Sequence, residues 1–182
     1  MIVVRDVNMP SLILKAAEFA TFAHKGQLRK WSGRPYIEHP RRVAGHVATL
    51  NGATEEMVAA AFLHDVIEDC EIILATIEHN FGNEVAELVW WLTNPDKPDG
   101  FTRARHKVLI HRRLADAPKQ AQRIKMCDRI DNLGEMSGAD EGFKSIYAEE
   151  SLDLVAAIGD SDPVLKAELE LLVEELVGDG DE

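Results

Sequence analysis

Residues 60–70 read AAFLHDVIEDC and place His64, Asp65, Glu68 and Asp69 close together among Phe62, Leu63, Val66 and Ile67. The apolar residues mark a core helix, in which an uncompensated carboxylate costs several kcal/mol. Positions i, i+3 and i+4 share one helical face. His64 is therefore expected over Glu68, and Asp65 over both Glu68 and Asp69, so that all four groups look to one side. A divalent cation resolves the conflict, because it neutralises the carboxylates and takes imidazole as a neutral nitrogen ligand.

One His-Asp pair leaves a coordination sphere incomplete, so further ligands must come from other segments. Asp128 is a candidate, since on a helical wheel it projects between Ala121 and Ile124, on the apolar side. Asp131 and Asn132, at i+3 and i+4, add polar groups near that direction. His39, in YIEHP at the start of a helix, is the second candidate. Two imidazoles and two carboxylates make a mixed N/O donor set suited to Mn²⁺, Fe²⁺ or Zn²⁺, with Mg²⁺ a further option.

These groups need helices to hold them, and helices are what the pattern gives. Apolar residues recur at helical spacing after Pro10-Ser11 up to Gly26, and again from Pro40 to Asn51-Gly52. Thr54 is placed to cap the third helix, which carries residues 60–70. Helices are then expected at 72–80, 83–93, 101–115, 118–133, 142–158 and 163–177. QLRKWSGRPYIE, with Gly33 and Pro35, reads as an ordered loop. Strand-like alternation is not convincing anywhere. The expectation is an all-α fold of about eight helices in one domain over residues 1–182, with acidic C-terminal helices at 142–177 and a frayed tail at 178–182.

The chain has 182 residues, 46% of them hydrophobic and 6% aromatic, as expected of a globular domain with a sizeable core. No apolar run approaches a membrane span, and Arg5 and Asp6 interrupt the N-terminus before a signal-peptide core can form, so the expected location is the cytoplasm. Cys70 and Cys127 match neither a metal motif nor a disulfide framework and are expected as reduced thiols. The net charge of −12 excludes nucleic acid as a natural partner. Residues 149–182 hold twelve acids against Lys166 alone, so −11 of that charge lies there. Lys25, Arg29, Lys30, Arg34, Arg41 and Arg42 form a basic stretch that either attracts an anionic ligand or simply faces solvent. The helix at 163–177 reads as a packing or homo-oligomer helix.

AHKGQLRKWSGRPYIEHPRRVA (23–44), AAFLHDVIED (60–69), FGNEVAELV (81–89) and IKMCDRIDNL (124–133) together resemble the HD-domain metal-dependent phosphohydrolases. The resemblance is to the hydrolase domain of the RelA/SpoT family and to the small alarmone hydrolases. It implies one divalent ion, usually manganese, on His39, His64, Asp65 and Asp128. It makes Glu68 and Asp69 the residues that activate and orient the attacking water. Arg29 and Lys30 match a basic pair beside the nucleotide, with Tyr36 and Asn132 near base and ribose. The implied reaction removes the 3′-pyrophosphate of guanosine tetra- or pentaphosphate without a covalent intermediate.

The chain departs from that family in three places. Trp31 follows the basic pair where the family has Ser, Asp131 and Gly134-Glu135 replace the expected His and Arg, and WWLTNP replaces a VTK segment. Another nucleotide is thus an alternative substrate, such as the 2′-phosphate of NADPH or a (deoxy)nucleoside phosphate. A second alternative is an HD domain that binds a nucleotide without turnover, and a third is a metal-free helical protein. Trp31 itself reads either as a stacking surface for a base or as an anchor for its loop.

Overall fold

A computed structural model describes residues 11–178. Helix α1 (Leu12–Ala23) begins at Ser11, whose hydroxyl accepts from the Leu14 amide at 3.2 Å. Pro10, read with Ser11 as the helix start, lies outside the described residues. Helix α2 (Glu38–Thr49) starts two residues before Pro40, and α3 (Glu55–Leu63) starts at Thr54, which accepts from the Met57 amide at 3.3 Å. Each hydroxyl takes up one of the amide groups that a helix start leaves without a partner.

The expected third helix is interrupted. His64 and Asp65 form a turn, and a single further turn, α4 (Val66–Asp69), completes the segment. The His64 ring donates through Nδ1 to the Ala61 carbonyl at 2.8 Å, one turn back. The expectation that all four ionisable groups look to one side is therefore corrected. His64 is buried and Asp65 is half-buried, whereas Glu68 and Asp69 stand on the solvent side of α4.

Helices α5 (Leu74–Phe81) and α6 (Asn83–Leu92) meet at Gly82, whose φ of +85° lies in the region that favours glycine. Then come α7 (Arg103–Ala115), α8 (Lys119–Leu133), α9 (Glu141–Ile158) and α10 (Pro163–Gly178), with 3₁₀ turns at Met136–Gly138 and Gly159–Ser161. Among the described residues there are no β-strands, and Leu28 and Pro35 form one isolated bridge that narrows the basic loop. The all-α reading is borne out. The ten α-helical segments exceed the eight or so expected, partly because α4 is separate from α3. Gly178, assigned to a frayed tail, is the last helical residue, and 179–182 lie outside the described residues.

Helix α3 is the hub, packed against α1, α2, α6 and α8. Met57 to Ala61 and Leu63 are all buried, and the small side chains of Ala59, Ala60 and Ala61 let neighbouring helices come close. Helix α8 crosses α2 and buries Ile124, Met126, Cys127 and Asp128. Cys127 and the half-buried Cys70 are both free thiols, as expected. Helix α10 lies on α8 and α9 through Leu165, Leu169 and Val173 and turns its acids outward, so its packing role is realised within the chain. Val164 and Leu171 remain exposed. Arg113 stacks on Trp90 and donates to the carbonyls of Trp90, Trp91 and Thr93, which satisfies the end of α6. Among the described residues no helix is long and apolar enough to cross a membrane.

Leu169 is fully buried between α10 and its neighbours. Leu169→Ala should destabilise the protein by about 2–5 kcal/mol in urea unfolding, the usual cost of emptying a core leucine site. A cost below about 1 kcal/mol would show that α10 adds little to the core.

Candidate metal centre and its adjoining cavity

Three helices converge on one small polar volume. The start of α2 brings His39, the α3–α4 turn brings His64 and Asp65, and the middle of α8 brings Asp128. His39, His64 and Asp65 offer ligand atoms that all lie within 4.8 Å of one another. Asp128 approaches from α8, its Oδ1 at 3.2 Å from His39 Nε2 and 3.6 Å from His64 Nε2. Asp65 Oδ2 lies 3.5 Å from the first of these nitrogens and 3.0 Å from the second. All four expected ligands are brought together.

The partners of the imidazoles settle their tautomers. His64 Nδ1 faces a carbonyl, which only accepts, so the proton is on Nδ1 and the Nε2 lone pair turns inward. That Nε2 is buried and has no hydrogen-bond partner. His39 Nδ1 donates to Asp131 Oδ2 at 2.6 Å, which likewise turns its Nε2 to the centre. Two inward lone pairs facing two carboxylates repel unless positive charge sits among them. This arrangement fits a divalent ion, and a carboxylate behind a histidine is the usual outer support of such a ligand.

The raised imidazole basicity expresses the same demand for positive charge at the centre, which a proton on each Nε2 would meet and which a bound ion would meet by displacing those protons. Burial works to lower the His39 imidazole, but hydrogen bonds with Asp128, Asp131 and Asp65 prevail and bring it to about 9. His64 is also held well above the ordinary range, since Asp65 and Asp128 outweigh its burial. Burial pushes Asp65 and Asp128 up, yet both carboxyls are held well below the usual range. His64 and His39 do this for Asp65, and Lys125 leads for Asp128. Lys125 Nζ lies 2.7 Å from Asp128 Oδ2, and Asn132 donates to Asp128 Oδ1 at 2.6 Å. Tyr36 donates to Asp65 Oδ2 at 2.6 Å, with its hydroxyl kept protonated first by burial and then by the Asp65 charge.

The water-handling pair expected on this segment sits at the rim. Glu68 accepts from the Asn94 amide at 2.6 Å and from the Asn94 side chain at 3.1 Å. Its carboxyl is pushed above the ordinary glutamate value by burial, which exceeds the opposing pull of Asn94 and Lys125. Asp69 accepts from Gln27 Nε2 at 2.9 Å. Beside the centre opens a cavity of about 270 Å³ lined by Leu28, Arg29, Lys30, Trp31, Tyr36, Asn132, Met136, Phe143 and Tyr147. All four expected substrate-side residues, Arg29, Lys30, Tyr36 and Asn132, are in that wall. Trp31 lines it too, at 5.6 Å from the Phe143 ring, and also abuts Gly138.

Sequence reasoning missed several supporting residues. Lys125 lies three positions before Asp128, so helical spacing could have found it, as it placed Asp131 three positions after. Asn94, Gln27 and Glu135 reach the site from distant segments, and no local pattern points to them. Glu135 accepts from Arg29 Nε at 2.6 Å and lies 2.6 Å from Arg42 Nη2.

A family model described as HD domain matches residues 16–164. A probable guanosine-3′,5′-bis(diphosphate) 3′-pyrophosphohydrolase from Synechocystis is 37% identical over 150 residues, which are 81% of this chain and 20% of that protein. The mouse protein named guanosine-3′,5′-bis(diphosphate) 3′-pyrophosphohydrolase MESH1 is 31% identical over 170 residues, 90% of this chain and 93% of its own. This chain thus spans about a fifth of the length of the bacterial relative and nearly all of the mouse one. Among solved structures, a metazoan ortholog of SpoT that hydrolyses ppGpp shares the fold, with a TM-score of 0.80 over 93% of this chain and 98% of its own at 23% identity. His39, the His64-Asp65 pair and Asp128 all fall inside the matched region, and the chain belongs to the HD domain family.

Proposed function

We propose that residues 1–182 act as one metal-dependent phosphohydrolase domain, cytoplasmic in location, that removes the 3′-diphosphate of guanosine 3′,5′-bis(diphosphate) or its pentaphosphate. One observation carries the reading: two inward Nε2 atoms, the buried Asp128 and the half-buried Asp65 lie beside a cavity with a basic, aromatic wall. His39, His64, Asp65 and Asp128 would hold the ion, and manganese suits this hard oxygen and imidazole set. When bound, such an ion lowers the pKa of a water molecule and offsets charge on phosphoryl oxygens.

The side chains of the protein supply the rest. Glu68, its carboxyl raised by burial and fixed by Asn94, accepts the proton of the attacking water. Asp69, held by Gln27, orients that water. The water oxygen bonds to phosphorus, the bond from phosphorus to O3′ breaks, diphosphate departs and O3′ takes up a proton. Tyr36 steadies Asp65, and Lys125 and Asn132 steady Asp128. Trp31, Phe143 and Tyr147 offer ring faces to a base, and Lys30 offers charge to a phosphate. A protein that only bound a nucleotide would gain nothing from Glu68 and Asp69, two further carboxylates placed beside phosphate.

The test is purified protein with Mn²⁺ against guanosine 3′,5′-bis(diphosphate), NADPH and a nucleotide panel, with phosphate and pyrophosphate release distinguished. Pyrophosphate from the first substrate is the expected product, and Asp65→Ala should abolish it. Glu68→Gln should lower kcat by about 10²–10⁴-fold, the usual share of a general base. Release of phosphate from NADPH alone would transfer the reading to a 2′-phosphatase, and turnover unchanged in Asp65→Ala would end it.

A separate measurement concerns the support of His39. Asp131→Asn should weaken Mn²⁺ binding by about 10–100-fold in chelator competition, because His39 loses the carboxylate that fixes its tautomer and raises its basicity. Unchanged affinity would show that Asp131 serves only Arg42.

A further inference from the structure

The family resemblance pairs Arg29 with Lys30 as cations beside the nucleotide, but the two are in different situations. Arg29 is already committed. Its Nε donates to Glu135 Oε2 at 2.6 Å and its Nη2 donates to Asn132 Oδ1 at 2.7 Å. The other Glu135 oxygen lies 2.6 Å from Arg42 Nη2, and Arg42 donates through Nε to Asp131 Oδ1 at 2.5 Å. Two guanidinium groups and two carboxylates thus form one chain of alternating charge that reaches the cavity wall at Arg29. The side chains of Arg29 and Glu135 are only 12% and 13% exposed.

Lys30 is the contrast. Among the described residues it forms no ion pair, and its ammonium lies over the Trp31 ring at 4.1 Å and the Phe143 ring at 5.3 Å. A phosphate entering the cavity meets full positive charge at Lys30. At Arg29 it meets a guanidinium whose charge is paired with Glu135 through a short, charge-assisted bond and two of whose five N–H donors, on Nε and Nη2, are occupied. Any phosphate recruiting Arg29 must first displace a largely buried carboxylate and leave it beside the phosphate with Arg42 as its remaining cation.

We infer that Glu135 is a specificity-determining residue that withholds Arg29 from substrate phosphates, so that added phosphates away from the metal centre contribute little to recognition. The inference rests on the nucleotide reading of the cavity. It makes this chain tolerant of the number of 5′-phosphates, because only Lys30 responds to them.

The test uses Mn²⁺-loaded protein and guanosine 5′-mono-, di- and triphosphate, which carry no 3′-diphosphate, with calorimetric Kd values at one ionic strength and one free Mn²⁺ concentration. In the wild type, Kd should fall by less than about threefold from mono- to triphosphate, since Glu135 cancels the Arg29 charge. In Glu135→Gln and Glu135→Ser that mono-to-tri ratio should grow about tenfold, and Arg29→Met added to either should remove the gain, as expected of one freed charge-assisted contact. A steep ratio in the wild type, a ratio unchanged in both variants, or a gain that survives loss of Arg29 would overturn the inference. Turnover of guanosine 3′,5′-bis(diphosphate) in the same preparations separates the two readings. A tenfold change in ratio without turnover keeps the role of Glu135 and removes the hydrolase, whereas turnover with a flat response does the reverse.

Discussion

Two carboxylates, Asp65 and Asp128, face each other's imidazole partners where α2, the α3–α4 turn and α8 meet, and the surrounding structure is arranged around that charge. Taking carboxylates out of water costs several kcal/mol each unless positive charge and donors replace the solvent. Here the replacements are specific: Tyr36 on Asp65, Lys125 and Asn132 on Asp128, and two imidazoles between them. Lys125 and Asn132 share α8 with Asp128 and His64 adjoins Asp65, whereas Tyr36 and His39 reach across from other segments. The helices are thereby tied in register by polar contacts as well as by their alanines and leucines. Removing one partner would leave a charge stranded, so the centre specifies this packing more than it stabilises it.

The same constraint explains the break between α3 and α4. An unbroken helix from Thr54 to Asp69 would point His64 and Asp65 in directions 100° apart. The turn lets both present a ligand atom to one point, and the His64 ring compensates by donating to the Ala61 carbonyl. It also separates the buried pair from Glu68 and Asp69, which are left at the rim, where water and a phosphate can reach them. Burial on one side of the break and exposure on the other divide the segment into a sheltered His-Asp pair and an accessible Glu-Asp pair.

The helical architecture was legible because most of these helices keep one apolar stripe and begin at residues that cap well. Ser11, Thr54 and Asp140 accept from the amides three residues on, and expected and observed limits of α6 to α10 differ by only a residue or two. The ligand set was legible for another reason: a buried acid without compensation is physically improbable, so Asp65 and Asp128 announced a missing partner. The turn at His64 was not legible, since the apolar residues around it continue the helical period unbroken. Nor were Asn94 and Glu135. Their roles depend on contacts with Glu68 and Arg29, separated by 26 and 106 positions in the chain, and both sit where sequence alone reads loop or helix end.

Charge is distributed to serve the same centre. An acidic protein would repel the polyanionic substrate proposed for it at long range, yet −11 of the −12 lies in residues 149–182. Where those residues form α10, the helix packs on α8 and α9 through Leu165, Leu169 and Val173, and its Glu168 faces His46 of α2 at 3.5 Å. At physiological ionic strength the field of exposed charge fades over about 8 Å, so this face is largely screened from the cavity. Under the proposed reading a nucleotide would meet the charge-paired Arg29, ring faces and Lys30, which has no ion pair among the described residues. Attraction would then depend on contact inside the cavity rather than on steering from outside, and the choice among nucleotides would fall to the wall formed by Trp31, Phe143 and Glu135-bound Arg29.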